Sequence, residues 1–376
     1  TDFQPDALTM TSVIHAYSKS KDPDAVKKSL SLLKEMEQSD DERMQPDIVT
    51  RNVVLAAIAR NPNKGKDVEA IFRNYQASSS RSLQPTEVTW ATVMLAWKNT
   101  EGGAERAYNL LEEMKASDDV QPNIVCYSTV VSALARDGNA HEAEYLLDDM
   151  KRSPRLNPNS IVYTSVMEAW ANSRDQHGVD AAWNLLRSMD DAAFQGDHNA
   201  LPTAITFHTL LKVIEKCPCP QKGFQAVRVV EAMTMPGRPS VHPSTRTFNA
   251  VLNAIGATME NDPNSRLAAL NLISQTLHHV RQGPRADAYT YPAAMKAVAR
   301  LSEGGTVDNN RTLELVFSMC KDDGWVDAMV LSHMRRACSP SHFRSLLEGN
   351  EDETNLIELL PKSWVRKRQR TRRRQI

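Results

Sequence analysis

The sequence predicts an all-α chain of the solenoid class, a right-handed superhelix of about eight two-helix units and roughly seventeen short helices in all. Three observations predict it. Apolar residues recur at helical rather than strand spacing. One motif returns every 36 to 44 residues. No single unit holds enough apolar surface to cover itself, so the units must stack. The 376 residues are 41% hydrophobic and 24% charged, which suits a continuous core, and 14 glycines leave little room for flexible linkers. The longest apolar run, Val53 to Ala59, is far too short to span a bilayer.

The recurring unit is clearest at 122–150: Pro122 and Asn123, a helix with Val125, Tyr127, Val130 and Ala133, a turn at 137–139, then Leu146, Leu147 and Met150. The frame starts near 7, 48, 87, 124, 160, 204, 245 and 288, with a partial copy at 328, so the array covers 7–337. Residues 1–6 read as the end of an earlier repeat. Because the chain starts at Thr1, an upstream region holding any targeting segment is expected. Residues 338–360 read as C-terminal capping helices and an acidic linker, and 361–376 as a basic tail.

First helices carry an i, i+1, i+4 stripe: Val13, Ile14, Tyr17; Val54, Leu55, Ile58; Val130, Val131, Leu134; Val166, Met167, Trp170. The residue before the last of these is Ala16, Ala57, Ala96, Ala133, Ala169, Ala254 or Ala297, broken by Val213, which lets neighbouring helices approach closely. Second helices end in runs such as Leu110–Leu111–Met114, Leu185–Leu186–Met189 and Val316–Met319, a core column rather than a cofactor box. Asp47, Thr86, Asn123, Asn159, Thr203, Ser244 and Asp287 stand where helix N-caps are needed. Stretches 78–82, 196–201, 235–239 and 302–308 lack helical pattern and are expected to protrude as loops.

The five cysteines are odd in number and scattered, as free thiols of a reducing compartment are. Cys217 and Cys219 near His208 match no common zinc spacing, so neither metal nor cofactor is expected. The net charge of −1 is uneven. Residues 361–376 hold eight basic and no acidic residues, leaving 1–360 at −9. An acidic body argues against strong nonspecific nucleic-acid binding by the array. The basic tail is a like-charged run, expected to be disordered until it meets other proteins, rRNA or another polyanion.

This frame resembles the pentatricopeptide-repeat family. The resemblance rests on the Pro-Asp or Pro-Asn start, the aliphatic–Thr–aromatic openings at 48–50, 88–90 and 205–207, and the Leu-Leu-Glu-Glu-Met ending at 110–114. It covers roughly Pro5 to Met319, though the units are longer than the family's usual one and the seventh and eighth are weak. The resemblance implies single-stranded RNA as partner, one base per repeat, each read by two side chains on the concave face. Carried over, the reader pairs are Thr11 with Asp47, Asn52 with Thr86, Ser128 with Asn159, Thr164 with Thr203, and Asn249 with Asp287. Hydroxyl readers imply purines and Asn readers pyrimidines. Ala91, His208 and Pro292 fit no familiar pairing, which leaves three repeats unread. The family's base-wedging aliphatics correspond to Leu8, Val49, Val88, Val125, Ile161 and Ile205, a column that fails at Arg246 and Tyr289. Its phosphate contacts correspond to Lys19, Arg60, Lys98, Arg136, Lys216 and Arg300.

Each column has a plainer explanation. Polar residues after Pro cap any helix, basic residues suit any helix C-terminus, and aliphatics can be core. Their coincidence in one frame favours RNA. The sequence contains no His-x-Glu with Cys-x-x-Cys of an RNA-editing deaminase and no stretch after Met319 long enough for a nuclease domain, so the chain reads as non-enzymatic, with no membrane or small-molecule partner. The expected role is stability, processing or translation of a mitochondrial or plastid transcript. The rival reading is a protein-interaction scaffold, such as an α-solenoid attached to a mitochondrial ribosome.

Overall fold

The computed structural model describes residues 5–20, 22, 24–78, 84–117, 119–219, 221–235, 241–257, 263–302, 309–347, 357 and 360–365. The described residues are all-α, with eighteen helices. The chain divides into two compact units, Thr1–Ser173 with Gly196–Ala200, and Arg174–Gln195 with Leu201–Ile376.

The first unit holds α1 (Ala7–Lys19), α2 (Ala25–Gln38), α3 (Ile48–Ala59), α4 (Gly65–Gln76), α5 (Glu87–Lys98), α6 (Ala104–Lys115), α7 (Ile124–Asp137), α8 (Ala140–Arg152) and α9 (Ser160–Ser173). Odd-numbered helices open repeats here. Each packs on the next opening helix, and each even helix packs against the opening helices on either side of it. An opening helix is therefore covered on two flanks, which is why Val54, Leu55, Ala57, Ile58 and Ala59 of α3 are all buried. The even helices are covered on one face only, with Leu146, Leu147 and Met150 of α8 buried and its charged residues turned outward.

The second unit holds α10 (Gly178–Phe194), α11 (Ala204–Lys216), α12 (Lys222–Met233), α13 (Thr245–Gly256), α14 (Pro263–Gln282), α15 (Thr290–Ser302), α16 (Asn310–Asp323), α17 (Ala328–Ala337) and α18 (Pro340–Leu346). Here α11, α13, α15 and α17 form the opening layer. The array's end is closed by the chain itself: the Val326 N–H donates to the Trp364 carbonyl (2.9 Å), and the Trp364 ring meets Phe317 edge-on at 5.8 Å. The basic run from Arg366 onward lies outside the described residues, as do 79–82, 236–239 and 303–308 of the expected loops.

Several expectations need correction. Val13 and Ala16 are exposed, because they lie on the flank of α1 that later opening helices turn to a preceding one. Met319 is only half-buried; Leu313, Phe317 and Cys320 share the core side of α16 with Val316. Residues 196–201 do not simply protrude: 198–200 make a 3-10 turn against α9, with Ala200 fully buried. The eighth opening helix starts at Thr290 rather than 288. Proline has no N–H to give to the carbonyl four residues back, so Pro292 is tolerated only in a first turn. Asp287 caps that turn, accepting from the N–H groups of Tyr289 (2.9 Å) and Thr290 (3.1 Å).

The opening helices are also tied end to end. Arg60 Nη1 donates to the Ser18 carbonyl (2.6 Å), Asn99 Nδ2 to Ala59 (2.9 Å), Arg136 Nη2 to Thr100 (2.6 Å), and Asn172 Nδ2 to Ala135 (2.8 Å). Each side chain serves carbonyls at the end of the preceding opening helix, groups the helix itself cannot satisfy. Asn99→Ala and Asn172→Ala should each lower stability by about 1–2 kcal/mol, since a part-buried carbonyl loses its donor; urea unfolding followed by circular dichroism measures this. At Gly256 an added Cβ would lie 2.7 Å from Ala297 Cα. Gly256→Val should therefore force α13 off α15 and cost about 1–3 kcal/mol or more, seen as a lower melting temperature, whereas no change would refute close contact there.

Candidate nucleic-acid interface

The six aliphatics assigned as wedges all stand in solvent. Leu8, Val49, Val88, Val125, Ile161 and Ile205 are between 55 and 75% exposed. Each is the second residue of its opening helix, so the stacking repeats them along the same edge of each layer. A lone exposed aliphatic needs no explanation, but a register-locked series does. Two more residues occupy this edge. Tyr289, 72% exposed, precedes the first residue of α15, and Met329, 53% exposed, is the second residue of α17. The failure expected at Tyr289 is thus a change of side chain, from aliphatic to a flat ring able to stack. Met329 was legible in the sequence from the partial frame at 328.

Behind this edge lie the reader positions. Asn52 Nδ2 donates to Thr86 Oγ1 (3.4 Å), and Asn249 Nδ2 donates to Asp287 Oδ1 (3.1 Å). The stacking therefore brings both of these pairs into contact across a repeat boundary. In each, the Asn Oδ1 is buried with no hydrogen-bond partner. Thr11 and Asp47 are joined through a third residue: Thr50 Oγ1 donates to Asp47 Oδ1 (2.9 Å) and lies 2.7 Å from Thr11 Oγ1. Thr11 Oγ1 also lies 2.6 Å from the Ala7 carbonyl, to which it donates. Ser128 and Thr164 sit likewise 2.6 Å from the carbonyls of Ile124 and Ser160, one turn back in their own helices. Thr164 and Thr203 belong to different compact units.

Every second reader is a helix cap. Asp47 accepts from the Thr50 N–H (2.8 Å), Asn159 from Ile161 and Val162, and Thr86 and Thr203 form capping boxes with Thr89 and Thr206. The capping requirement alone accounts for their residue type. Of the unmatched slots, Pro292 is buried, Ala91 is half-buried, and His208 Nε2 lies 3.0 Å from Thr247 Oγ1. That contact repeats, between the sixth and seventh repeats, the link between Thr11 of the first and Thr50 of the second. Burial, with Arg246 beside it, holds the His208 imidazolium below its ordinary pKa.

The basic column is more constrained than its sequence suggests. Arg60 and Arg136 are both tied to carbonyls of the preceding opening helix, and Arg136 also ion-pairs Asp137 at 3.0 Å. Lys98 is half-buried, and its ammonium is disfavoured by burial and then by Arg136. Lys19, Lys216 and Arg300 are exposed. The acidic residues are concentrated elsewhere: α8 carries Glu142, Glu144, Asp148 and Asp149, while the opening helix before it has only Asp137. The net −9 of residues 1–360 therefore does not describe the opening layer, and it is no argument against anion binding there.

The Pentatricopeptide repeat domain family model matches residues 1–61 and 109–177. No curated protein matches the chain. Among solved structures it is similar to the pentatricopeptide repeat protein PPR10 from maize, at 20% identity over 92% of this chain and 54% of that chain, with a TM-score of 0.46. The same maize protein in complex with an 18-nt psaJ RNA element matches at 17% identity over 94% of this chain and 66% of that one, with a TM-score of 0.38. An engineered protein matches at 12% identity, over 99% and 96% of the two chains, with a TM-score of 0.46. The chain spans about half the length of the unbound maize protein's chain. Two stretches are matched by the repeat's own family model, and the same capped, two-helix frame returns through the other described residues, which supports membership of the pentatricopeptide-repeat family.

Proposed function

We propose that the chain binds single-stranded RNA along the exposed edge of its opening helices. One observation carries the reading: aliphatic side chains repeat in register on that edge, beside paired polar residues at the adjoining repeat boundaries. Bases have the flat apolar faces that would cover such a series. A buried carbonyl oxygen without a donor costs about 1–3 kcal/mol, and a base-edge N–H is a suitable donor for the Oδ1 atoms of Asn52 and Asn249. The maize relative's complex with an RNA element supports the same ligand class. In this reading Asn52 with Thr86 and Asn249 with Asp287 take pyrimidines, and Thr11 with Asp47 takes a purine. The chain acts by binding, without catalysis, on the stability, processing or translation of a transcript in a mitochondrion or plastid.

The wedge residues provide a test uncoupled from folding. Because they are exposed in the free protein, Val88→Ser, Val125→Ser and Ile161→Ser together should leave the melting temperature within about a degree or two, given that exposed substitutions are near neutral. The same triple variant should weaken binding to a single-stranded RNA pool severalfold in fluorescence anisotropy. Wild-type affinity in that variant would remove the interface. Arg136→Ala is the contrasting case. It takes donors from the end of α5, so it should cost about 1–2 kcal/mol of stability in urea unfolding as well as weakening RNA.

A further inference from the structure

Two closing helices of the second unit carry an apolar surface that the repeat frame does not explain. Six residues before the second member of the Leu-Leu pair, or its equivalent, closing helices hold Lys27, Lys66, Glu105, His141, Asp180 and Asn310. In α12 and α14 this polar column is broken by Phe224 and Leu267, which are 46% and 48% exposed. Met235, just past the end of α12, is exposed as well. One exposed apolar residue means little, but the same slot turned apolar in two neighbouring closing helices makes a patch.

Between these two helices the surface is hollow. A cavity of about 460 Å³ lies over α13, lined by Val227 and Val230 of α12, Phe248 and Val251 of α13, and Leu272 and Thr276 of α14, among others. Thr276 accounts for the space. The other closing helices have Met or Tyr at its slot, whereas Thr276 is shorter and turns its hydroxyl back to the Leu272 carbonyl (2.7 Å). The equivalent junction of the first unit, between α2 and α4, also leaves a cavity of about 410 Å³. There Arg51 pairs with Glu37 at 2.9 Å, and Lys27 and Lys66 stand at the slot, so that junction is charged.

Charge also sets the face of α12 and α14 apart. Together they hold Lys222, Arg228, Arg266 and Arg281 against a single acidic residue, Glu231. Lys222 is buried and donates to the Glu215 carbonyl (2.8 Å), and Arg281 faces Asp323 at 3.5 Å. Arg228 is exposed, one turn on from Phe224. By contrast α8 carries four acidic and two basic residues, and α10 three and one.

We propose that the groove between α12 and α14 docks an amphipathic helix of a partner protein, one with bulky apolar anchors flanked by Asp or Glu. Such helices bind by laying an apolar face into a groove. From Phe224 to Thr234 the groove follows α12 for about 15 Å at 1.5 Å per residue, which suits anchors one and two turns apart. One anchor fills the space that Thr276 leaves, and its neighbours cover Phe224 and Leu267. Arg228 meets the acidic flank, which a basic flank could not match. The site lies on the closing layer and uses none of the residues of the proposed RNA surface.

The test is a displayed library of short amphipathic helices, with varied apolar anchors and flanking positions encoding Glu, Lys or Ser, selected on the wild-type chain. Selected peptides should favour Glu over Lys at the flanks. In fluorescence anisotropy they should bind Thr276→Met and Phe224→Gln/Leu267→Gln about tenfold or more weakly, as loss of buried anchor contacts does. Thr276→Met restores the side chain of most other closing helices, and the double variant changes only exposed residues, which is near neutral for folding. Circular dichroism checks both, and if Thr276→Met unfolds, the double variant decides. Failure to select any peptide, equal binding to the variants, or enrichment of Lys overturns the proposal. RNA affinity should be unchanged in both variants. A matching loss of RNA affinity would make this face part of a nucleic-acid surface and overturn the protein partner.

Discussion

The structure depends on one constraint: an opening helix is apolar on two flanks and cannot be covered by its own partner. Burying both flanks requires an opening helix on each side, and the close approach this demands is met by alanine and glycine at the contact. Gly256 against Ala297 shows how tight it is. Once the helices are stacked this closely, their carbonyl ends stand side by side. Arg60, Asn99, Arg136 and Asn172 reach across each junction in the first unit to satisfy the preceding end. Hydrophobic burial supplies the drive, and these bonds set the register.

Register is what makes a recognition surface possible. The same slots of successive helices come to lie in rows, so a side chain that is a local cap in one repeat becomes the neighbour of a helical residue in the repeat before it. Asp287 illustrates both duties. It accepts from the N–H groups that open α15, and it also accepts from Asn249 of α13. A cap is held rigidly by the helix it starts, which suits a residue that must present a fixed edge to a ligand. Under the proposed function, stability and recognition would not be separable at these positions, and the exposed wedge residues would be where binding can be probed alone.

The electrostatic pattern follows the same layering. Closing helices face outward and carry the acidic excess of α8, together with cross-repeat pairs such as Lys115 with Asp149 (2.9 Å). Opening helices hold few acidic residues, and in the second unit almost none. Net charge averages over layers that a ligand meets separately. The overall −1 thus says little about what the opening layer attracts.

Helix positions, caps and the wedge slots were legible in the sequence because each depends on residues within a turn or two of one another. Apolar periodicity marks a helix, a polar residue after proline marks its start, and both recur in a frame that needs no knowledge of neighbours. What side chains some forty residues apart do to each other was decided only by stacking. The sequence could pair Asn52 with Thr86 by resemblance, but only the packed layer brings them within hydrogen-bonding distance and leaves an oxygen without a donor. Likewise Arg60 and Arg136 looked free to hold phosphate until the neighbouring carbonyls came within their reach. Local sequence specifies the units; the distances between units belong to the tertiary structure, because they depend on how two packed surfaces interlock.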